Sequence, residues 1–202
     1  MTERLRMSER RDQLVAGALA VAERDGLAAV TVREVAREVD VSTGVVHYCF
    51  ADKDDLLAAM AGQLVRELRS AAGVSVGGGT IADVLGGGVR NLWRVLERSA
   101  ARQLLTYEIT VTALRQPALS DAARRQYRDS HAAVRDFLEA AAGVTGLRWR
   151  VPVDQVSAMV LAHLDGVVLR WLVDRDARAA RRGLDLFTGL IASLTEPTAA
   201  TA

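Results

Sequence analysis

Apolar residues recur at every third or fourth position along most of the chain, which is the spacing of one face of an α-helix. The pattern predicts about nine helices and an all-α fold. Prolines fall at Pro117, Pro152 and Pro197, where they indicate helix boundaries. The predicted helices cover residues 9–25, two short segments that follow Thr31 and Ser42, and then 54–71, 81–98, 102–114, 119–142, 153–174 and 177–194.

Residues 26–57 predict two short helices joined by a tight turn, followed by the start of another helix. Thr31 and Glu34 have the T-x-x-E spacing of a capping box, which satisfies free amides at a helix start. Asp40 lies at the turn, where aspartate tolerates the left-handed conformation, and Ser42 is a suitable N-cap for the second helix. Such a helix pair can lay its second helix in the major groove of DNA.

The outer face of that second helix carries short or aromatic hydrogen-bonding side chains. Asp52 is the expected N-cap of the next helix, so Lys53 lies beside free backbone amides, an arrangement that binds phosphate. We expect phosphate contacts from Thr31, Tyr48 and Lys53, and base contacts from Thr43, Gly44, Val45 and His47. Arg33 either contacts DNA or is an ordinary solvated arginine. The candidate DNA-binding residues are Thr31, Arg33, Ser42, Thr43, Gly44, Val45, His47, Tyr48 and Lys53.

This segment resembles the DNA-binding domain of the TetR family of transcriptional regulators. Two positions depart from the family pattern: Asp40 stands where the turn usually carries glycine, and Cys49 stands where an aromatic residue or histidine usually follows. The resemblance implies a homodimeric repressor whose C-terminal domain binds a small effector. The matching residues are Thr31, Val35, Ala36, Val41, Ser42, Gly44, His47, Tyr48, Phe50, Lys53 and Leu56.

Three segments follow from these observations. Residues 1–53 are the expected N-terminal three-helix DNA-binding domain, which contains the helix-turn-helix motif. Residues 54–196 are the expected C-terminal helical domain for effector binding and dimerisation. Residues 197–202 are small and polar, which predicts a disordered tail.

The eighth and ninth predicted helices each carry an apolar stripe at helical spacing. Two such helices from each subunit can pack as a four-helix bundle, whereas an internal core pair is the alternative. A dimer would place two recognition helices about 34 Å apart on one face of DNA, which predicts a palindromic operator. The expected interface residues are Val156, Val160, Val167, Leu184, Phe187, Leu190, Ile191 and Leu194.

Helices five to eight supply polar and aromatic groups on mostly apolar faces, as a small-molecule pocket requires. For each of these groups, a place in the core is the alternative. Inside the fifth helix, Gly86, Gly87 and Gly88 each cost about 1 kcal/mol relative to alanine. The run indicates a helix break or a close helix crossing, or else a kink that lines a cavity. The candidate pocket residues are Trp93, Tyr107, Thr110, His131, His163 and Trp171.

Composition narrows the function classes. The net charge is only +1, and residues 1–70 hold 10 basic and 12 acidic side chains, which argues against a bulk electrostatic binder but not against a site-specific one. A single cysteine excludes an intrachain disulfide and suggests a reducing compartment. The chain shows no metal-ligand spacing, no phosphate-binding glycine motif and no G-x-S-x-G turn, so we expect no enzyme activity, metal or cofactor.

The longest apolar stretch, residues 156–173, contains His163, Asp165 and Arg170, which are costly in lipid. We therefore expect a helix buried on two sides rather than a membrane span, and the N-terminal residues show no signal-peptide run. The sequence as a whole predicts a cytoplasmic, homodimeric, ligand-responsive repressor that binds double-stranded DNA. An activator of the same fold and a helical dimeric interaction protein are the alternatives.

Overall fold

The computed structural model describes residues 7–71 and 79–198, except for the side chains of residues 69, 71, 117–119 and 122. Within these residues the chain forms nine α-helices, which confirms the all-α prediction, together with one short 3-10 helix and two short strands. In chain order the elements are α1 (Met7–Asp25), the 3-10 helix (Leu27–Ala29), α2 (Val32–Glu38), α3 (Thr43–Cys49), α4 (Lys53–Ala71), α5 (Ile81–Leu96), α6 (Ala100–Arg115), α7 (Pro117–Thr145), β1 (Leu147–Trp149), α8 (Val153–Asp174), α9 (Ala177–Ala192) and β2 (Thr195–Pro197).

The chain divides into two compact units. Unit 1 comprises the described residues up to Val65 together with Ala101–Gln126, so α6 belongs to the same unit as α1, α2 and α3. Its core joins Leu14 of α1, Val35 of α2 and Leu105 of α6. Because these side chains are almost fully buried, they fix how the helices of the DNA-binding segment pack on one another.

Local sequence signals explain how the helices of this segment begin. The Thr31 side chain accepts a hydrogen bond from the Glu34 amide at 3.2 Å, but the Glu34 carboxylate bonds Arg37 and therefore does not complete the predicted capping box. Asp40 has a φ of 53°, which confirms the left-handed turn. Ser42 occupies the N-cap position of α3, although its side chain makes no capping hydrogen bond, contrary to our expectation.

Unit 2 comprises Arg66–Ala100 and the described residues from Tyr127 onward. Its core includes Leu85, Leu138, Val156 and Ile191. Helix α5 runs unbroken through the glycine run, and a Cβ atom at Gly88 would lie only 2.6 Å from Cε2 of Phe137. Gly88 thus permits the close approach of α5 to Phe137 of α7, which agrees with our interpretation of the glycine run as a close helix crossing.

The two strands were not predicted. They pair antiparallel, with Leu147 opposite Pro197 and Trp149 opposite Thr195, and an ion pair of 2.5 Å joins Arg148 to Glu196. The pair connects the segment before α8 to the segment after α9. Pro197, which we placed in the tail, therefore belongs to β2, while residues 199–202 lie outside the described part of the chain.

Candidate nucleic-acid interface

Helix α3 presents the predicted outer face to solvent. Its inner side inserts Val46 and Cys49 into the core of unit 1, so Cys49 is only 9% exposed and does not belong to the exposed face. Val45 is half-buried against the same core, and Tyr48 is 73% exposed. The remaining exposed residues of this face are Ser42, Thr43, Gly44 and His47.

The start of α4 has the structure that a phosphate site requires. The Asp52 carboxylate accepts a hydrogen bond from the Asp55 amide at 2.8 Å, which confirms Asp52 as the N-cap. Lys53 is the first helical residue and is exposed. A small cleft is lined by Val32, His47 and Lys53, so the starts of α2 and α4 and the outer face of α3 lie side by side. Thr31 and Arg33 are also exposed at the start of α2.

Arginines pair with acidic side chains of unit 1. Arg24 bonds Glu38 at 3.1 Å, Arg37 pairs with Glu34, and Arg102 pairs with Glu23. The first two pairs lie within residues 1–70 and leave the slight negative balance of that segment unchanged. Arg102 of α6 comes from outside the segment and offsets one of its acidic charges.

Arg11 was not among the residues that the sequence predicted for this site. Arg11 of α1 lies 2.6 Å from the Asp55 carboxylate of α4 and donates to the Cys49 carbonyl at the end of α3. Its guanidinium also covers the Phe50 ring, with 4.2 Å between the Cζ atom and the ring centroid. The hydrogen bond from Arg11 is the main cause that lowers the pKa of Asp55 below its usual value.

The predicted pocket residues lie in both compact units: Tyr107 and Thr110 belong to unit 1, and the other four belong to unit 2. Trp93 and Trp171 are buried and pack edge to face with 5.4 Å between ring centroids. These two indole rings therefore pack in the interior of unit 2, and Trp93 also lines a cleft of that unit.

Two further candidates have structural partners. The Thr110 hydroxyl donates to the Thr106 carbonyl at 2.9 Å. The Nε2 atom of His131 lies 2.9 Å from the Ser157 hydroxyl and 3.1 Å from the Asp154 carbonyl, which joins α7 to α8. These hydrogen bonds give both polar side chains partners within the protein, so their polarity does not by itself require a ligand.

Two of the candidates have a buried ring nitrogen without a hydrogen-bond partner among the described residues, namely Nε2 of His163 and Nε1 of Trp93. The His163 ring stacks on Phe187 with 3.9 Å between centroids. Burial lowers the pKa of His163, because the charged imidazolium loses solvation.

An open cleft of about 370 Å³ lies between α5 and α9 in unit 2. Of the predicted pocket residues, Trp93 lines this cleft. The walls combine an apolar floor with three arginines and one aspartate. The other lining residues are Val89, Arg90, Arg94, Arg181, Leu184 and Asp185.

The expected dimer residues divide into two sets. Val156, Leu184 and Ile191 are buried within unit 2, so assigning them to a surface between subunits was wrong. The sequence periodicity shows that α8 and α9 are apolar but not which stripe packs on their own chain. Leu190 is 58% exposed. The half-buried members are Val160, Val167, Phe187 and Leu194.

A different stripe of α8 and α9 remains exposed. Val173 is 81% exposed and Leu186 is 70% exposed. Helix α8 has the length and apolar composition of a membrane-spanning helix, but in this chain one side of it packs in unit 2. Our expectation of burial on two sides is therefore not met within a single chain. The other large apolar residues exposed on these helices are Met159, Leu169 and Leu190.

Among the described residues, no group of three or more histidine, cysteine, aspartate or glutamate side chains is placed to hold a metal ion.

Helices α2 and α3 are joined by a tight turn, and α3 has an exposed polar face beside the exposed lysine that begins α4. This is the arrangement of a helix-turn-helix protein, whose second helix enters the major groove of DNA. The sequence profile of "Bacterial regulatory proteins, tetR family" matches residues 14–60, and that of "Tetracyclin repressor-like, C-terminal domain" matches residues 77–193. The chain therefore belongs to the TetR family, and it is a DNA-binding transcriptional regulator rather than an enzyme.

Similar proteins support the same assignment along most of the chain. The nicotine-responsive transcriptional repressor HdnoR of Paenarthrobacter nicotinovorans is 28% identical over 172 residues, which are 85% of this chain and 88% of HdnoR. A solved transcriptional regulator from Rhodococcus sp. Rha1 has a TM-score of 0.72 at 24% identity and covers 94% of this chain and 99% of its own. The multidrug binding protein EbrR, complexed with imidazole, has a TM-score of 0.65 at 27% identity, with 95% and 97% covered.

Proposed function

We propose that this regulator is a homodimeric, ligand-responsive repressor that binds a palindromic operator in double-stranded DNA. The observation that carries the proposal is the exposed face of α3 beside Lys53 at the start of α4. A helix that reads base edges needs phosphate contacts on its flanks to fix its register. The repression and the response to a ligand are supported by the name of HdnoR, and the binding of small molecules by that of EbrR.

We assign the DNA contacts according to the position of each residue. Thr31, Arg33, Tyr48 and Lys53 contact phosphates, because they surround the exposed face of α3 and have hydroxyl or cationic groups. Base edges are contacted from the face itself, where the absence of a side chain at Gly44 permits close approach. Because Val45 is half-buried, only its outer methyl group is placed to contact a thymine methyl group. The proposed base-contacting residues are Ser42, Thr43, Gly44, Val45 and His47.

The dimer interface of the proposal is the exposed apolar stripe of α8 and α9. Large apolar side chains such as Val173, Leu186 and Leu190 are costly to leave in water, and a second copy of the same helix pair would bury them in a four-helix bundle. Half-buried Val160, Val167, Phe187 and Leu194 lie on the same two helices or directly after α9 and would complete the contact.

The effector site of the proposal is the cleft between α5 and α9. Its apolar floor at Val89, Trp93 and Leu184 suits the ring or chain of a small molecule. Of its three arginines, Arg181 is paired with Glu97 at 2.5 Å, which leaves Arg90 and Arg94 beside the single aspartate. We therefore propose an apolar ligand with an anionic group. Ligand binding relieves repression only if it favours the state that cannot bind DNA.

The functional division of the chain is also part of the proposal. Residues 1–53 bind DNA, and residues 54–196 bind the effector and dimerise. Helix α6 lies in the second of these segments, but its Leu105 belongs to the core of unit 1 and its Arg102 pairs with Glu23 of α1. It is therefore an element through which the C-terminal segment could act on the DNA-binding helices. We place the protein in the cytoplasm, where bacterial DNA is found, without a membrane partner.

The proposal is tested by selecting bound fragments from random and genomic DNA with the purified protein, followed by sequencing. We expect an enriched palindrome with half-sites about one helical turn apart. Sedimentation of the protein at micromolar concentration should show a dimer. No enrichment with folded, ligand-stripped protein at low salt, or a monomer in sedimentation, would contradict the respective part of the proposal.

A further inference from the structure

The side chain of Arg11 joins α1 to the two helices that carry the exposed face of α3 and Lys53 of α4. From α1, it donates to the Cys49 carbonyl at the end of α3 and lies 2.6 Å from Asp55 in the first turn of α4. Asp55 in turn accepts a hydrogen bond from the Ala51 amide at 3.2 Å, within the connection between α3 and α4. We call Arg11, Cys49, Phe50, Ala51 and Asp55 the Arg11 cluster.

The cluster satisfies groups that the helices leave unpaired. The last carbonyls of a helix have no partner within the helix, and the Cys49 carbonyl of α3 is one of them. The guanidinium of Arg11 also lies 4.2 Å from the centroid of the Phe50 ring, which stacks below it as a cation–π partner. These contacts direct the donors of Arg11 toward protein atoms on α3 and α4.

We propose that Arg11 is a positioning residue for DNA recognition, which holds the base-reading face of α3 in register with Lys53 at the start of α4. A base contact and a phosphate contact can form together only if their relative position is fixed. This inference rests on the DNA contacts proposed above. It differs from the simplest interpretation of an arginine near DNA, which is that Arg11 contacts a phosphate itself.

The direction in which one substitution changes the affinity for DNA separates the two interpretations. Asp55→Asn removes a negative charge from the turn that carries Lys53, so electrostatics alone predicts tighter binding to DNA. Positioning predicts weaker binding, because the amide loses the ion pair with Arg11 and keeps only one acceptor oxygen. The other carboxylate oxygen becomes an NH2 donor that faces the donors of Arg11 or the Ala51 amide.

The experiment measures the affinity for the selected palindrome and for a shuffled duplex at several salt concentrations. The variants are Arg11→Gln, Arg11→Lys, Asp55→Asn and the double variant Arg11→Gln/Asp55→Asn. Arg10→Gln is the matched control, because Arg10 is a neighbouring arginine of α1 whose side chain bonds Gln13 on its own helix. Circular dichroism establishes the temperature at which every variant is folded.

We expect each single variant in the cluster to bind the palindrome about tenfold more weakly, as the loss of hydrogen bonds to a charged group implies. Binding to the shuffled duplex and the salt dependence should match those of the unchanged protein. The double variant should be no weaker than either single variant, because the same contact is already lost. The Arg10→Gln control should not show this selective loss.

Three results would overturn the inference. Tighter binding by Asp55→Asn would show that charge, not position, governs this turn. A salt dependence flattened by about one unit in Arg11→Gln, with affinity retained in Arg11→Lys, would show a direct phosphate contact. Equal losses on both duplexes would show general destabilisation. The unchanged protein reports on the proposed function separately, because it must prefer the palindrome before any variant is compared.

Discussion

The two adjacent glycines Gly87 and Gly88 offer a matched pair of substitutions in one helix. Gly88 packs against the Phe137 ring, where a Cβ atom would lie 2.6 Å from Cε2, well inside the normal contact distance. A Cβ atom at Gly87 would meet nothing within 4 Å. Alanine at either position gains the same helix propensity, about 1 kcal/mol over glycine. The difference between the two variants therefore isolates the clash.

The clash at Gly88 has an expected cost in the free energy of unfolding. Forcing an extra methyl group into a packed core typically costs about 1–3 kcal/mol. Gly87→Ala should thus raise the free energy of unfolding by about 1 kcal/mol. Gly88→Ala should leave it about 1–3 kcal/mol below that of Gly87→Ala. Adding Phe137→Leu to Gly88→Ala should recover part of the loss, because a smaller side chain leaves room for the new methyl group.

The assay is denaturant unfolding at one fixed protein concentration, since association would make the apparent stability depend on concentration. The slope against denaturant should be the same in all variants, so that midpoints report on stability alone. If Gly88→Ala is as stable as Gly87→Ala, the close crossing of α5 by Phe137 is not what requires glycine there.

Three further predictions concern binding, assembly and pH. Lys53→Ala should weaken binding to all duplexes about equally and flatten the salt dependence by about one unit. His47→Ala should instead change the preference among sequences. If both variants had the same effect on the palindrome and on random DNA, these roles would be wrong. Val173→Glu should shift the dimer to monomer in sedimentation, while Arg124→Glu, at an exposed site of α7, should not. Burial lowers the pKa of His163 below 6.5, so its contribution to stability is present above pH 6.5 and is lost as the pH falls toward the lowered pKa. Denaturant unfolding of His163→Gln should show less loss of stability on acidification; an unchanged loss would refute this cause.

Local patterns accounted for most of the DNA-binding segment. The side chains of Thr31 and Asp52 accept hydrogen bonds from amides three residues further on, so a short stretch of sequence contains both partners. The left-handed turn depends on the backbone conformation of Asp40 itself. The exposed face of α3 was predictable for the same reason, because helical spacing alone separates its buried and exposed sides. Ser42 shows the limit of this reasoning, since a suitable residue at an N-cap need not form the bond.

Contacts between distant residues were not predictable. Arg11 and Asp55 are 44 positions apart, and no periodicity relates them. The three-residue strands are too short to show alternation, and their pairing depends on how the chain folds back after α9. For α8, which is apolar on most sides, the sequence does not distinguish the stripe that packs on its own chain from the stripe that remains exposed.

We propose that this protein recognises a particular DNA sequence as a dimer. Titration of the selected palindrome, and of the same duplex with one or both half-sites scrambled, at one stated salt concentration, tests both parts of this proposal. We expect two protomers on the palindrome and a loss of affinity of at least about 10³-fold when both half-sites are scrambled. Equal affinity for the intact and scrambled duplexes, or one protomer on the intact palindrome, would show that the proposal is wrong.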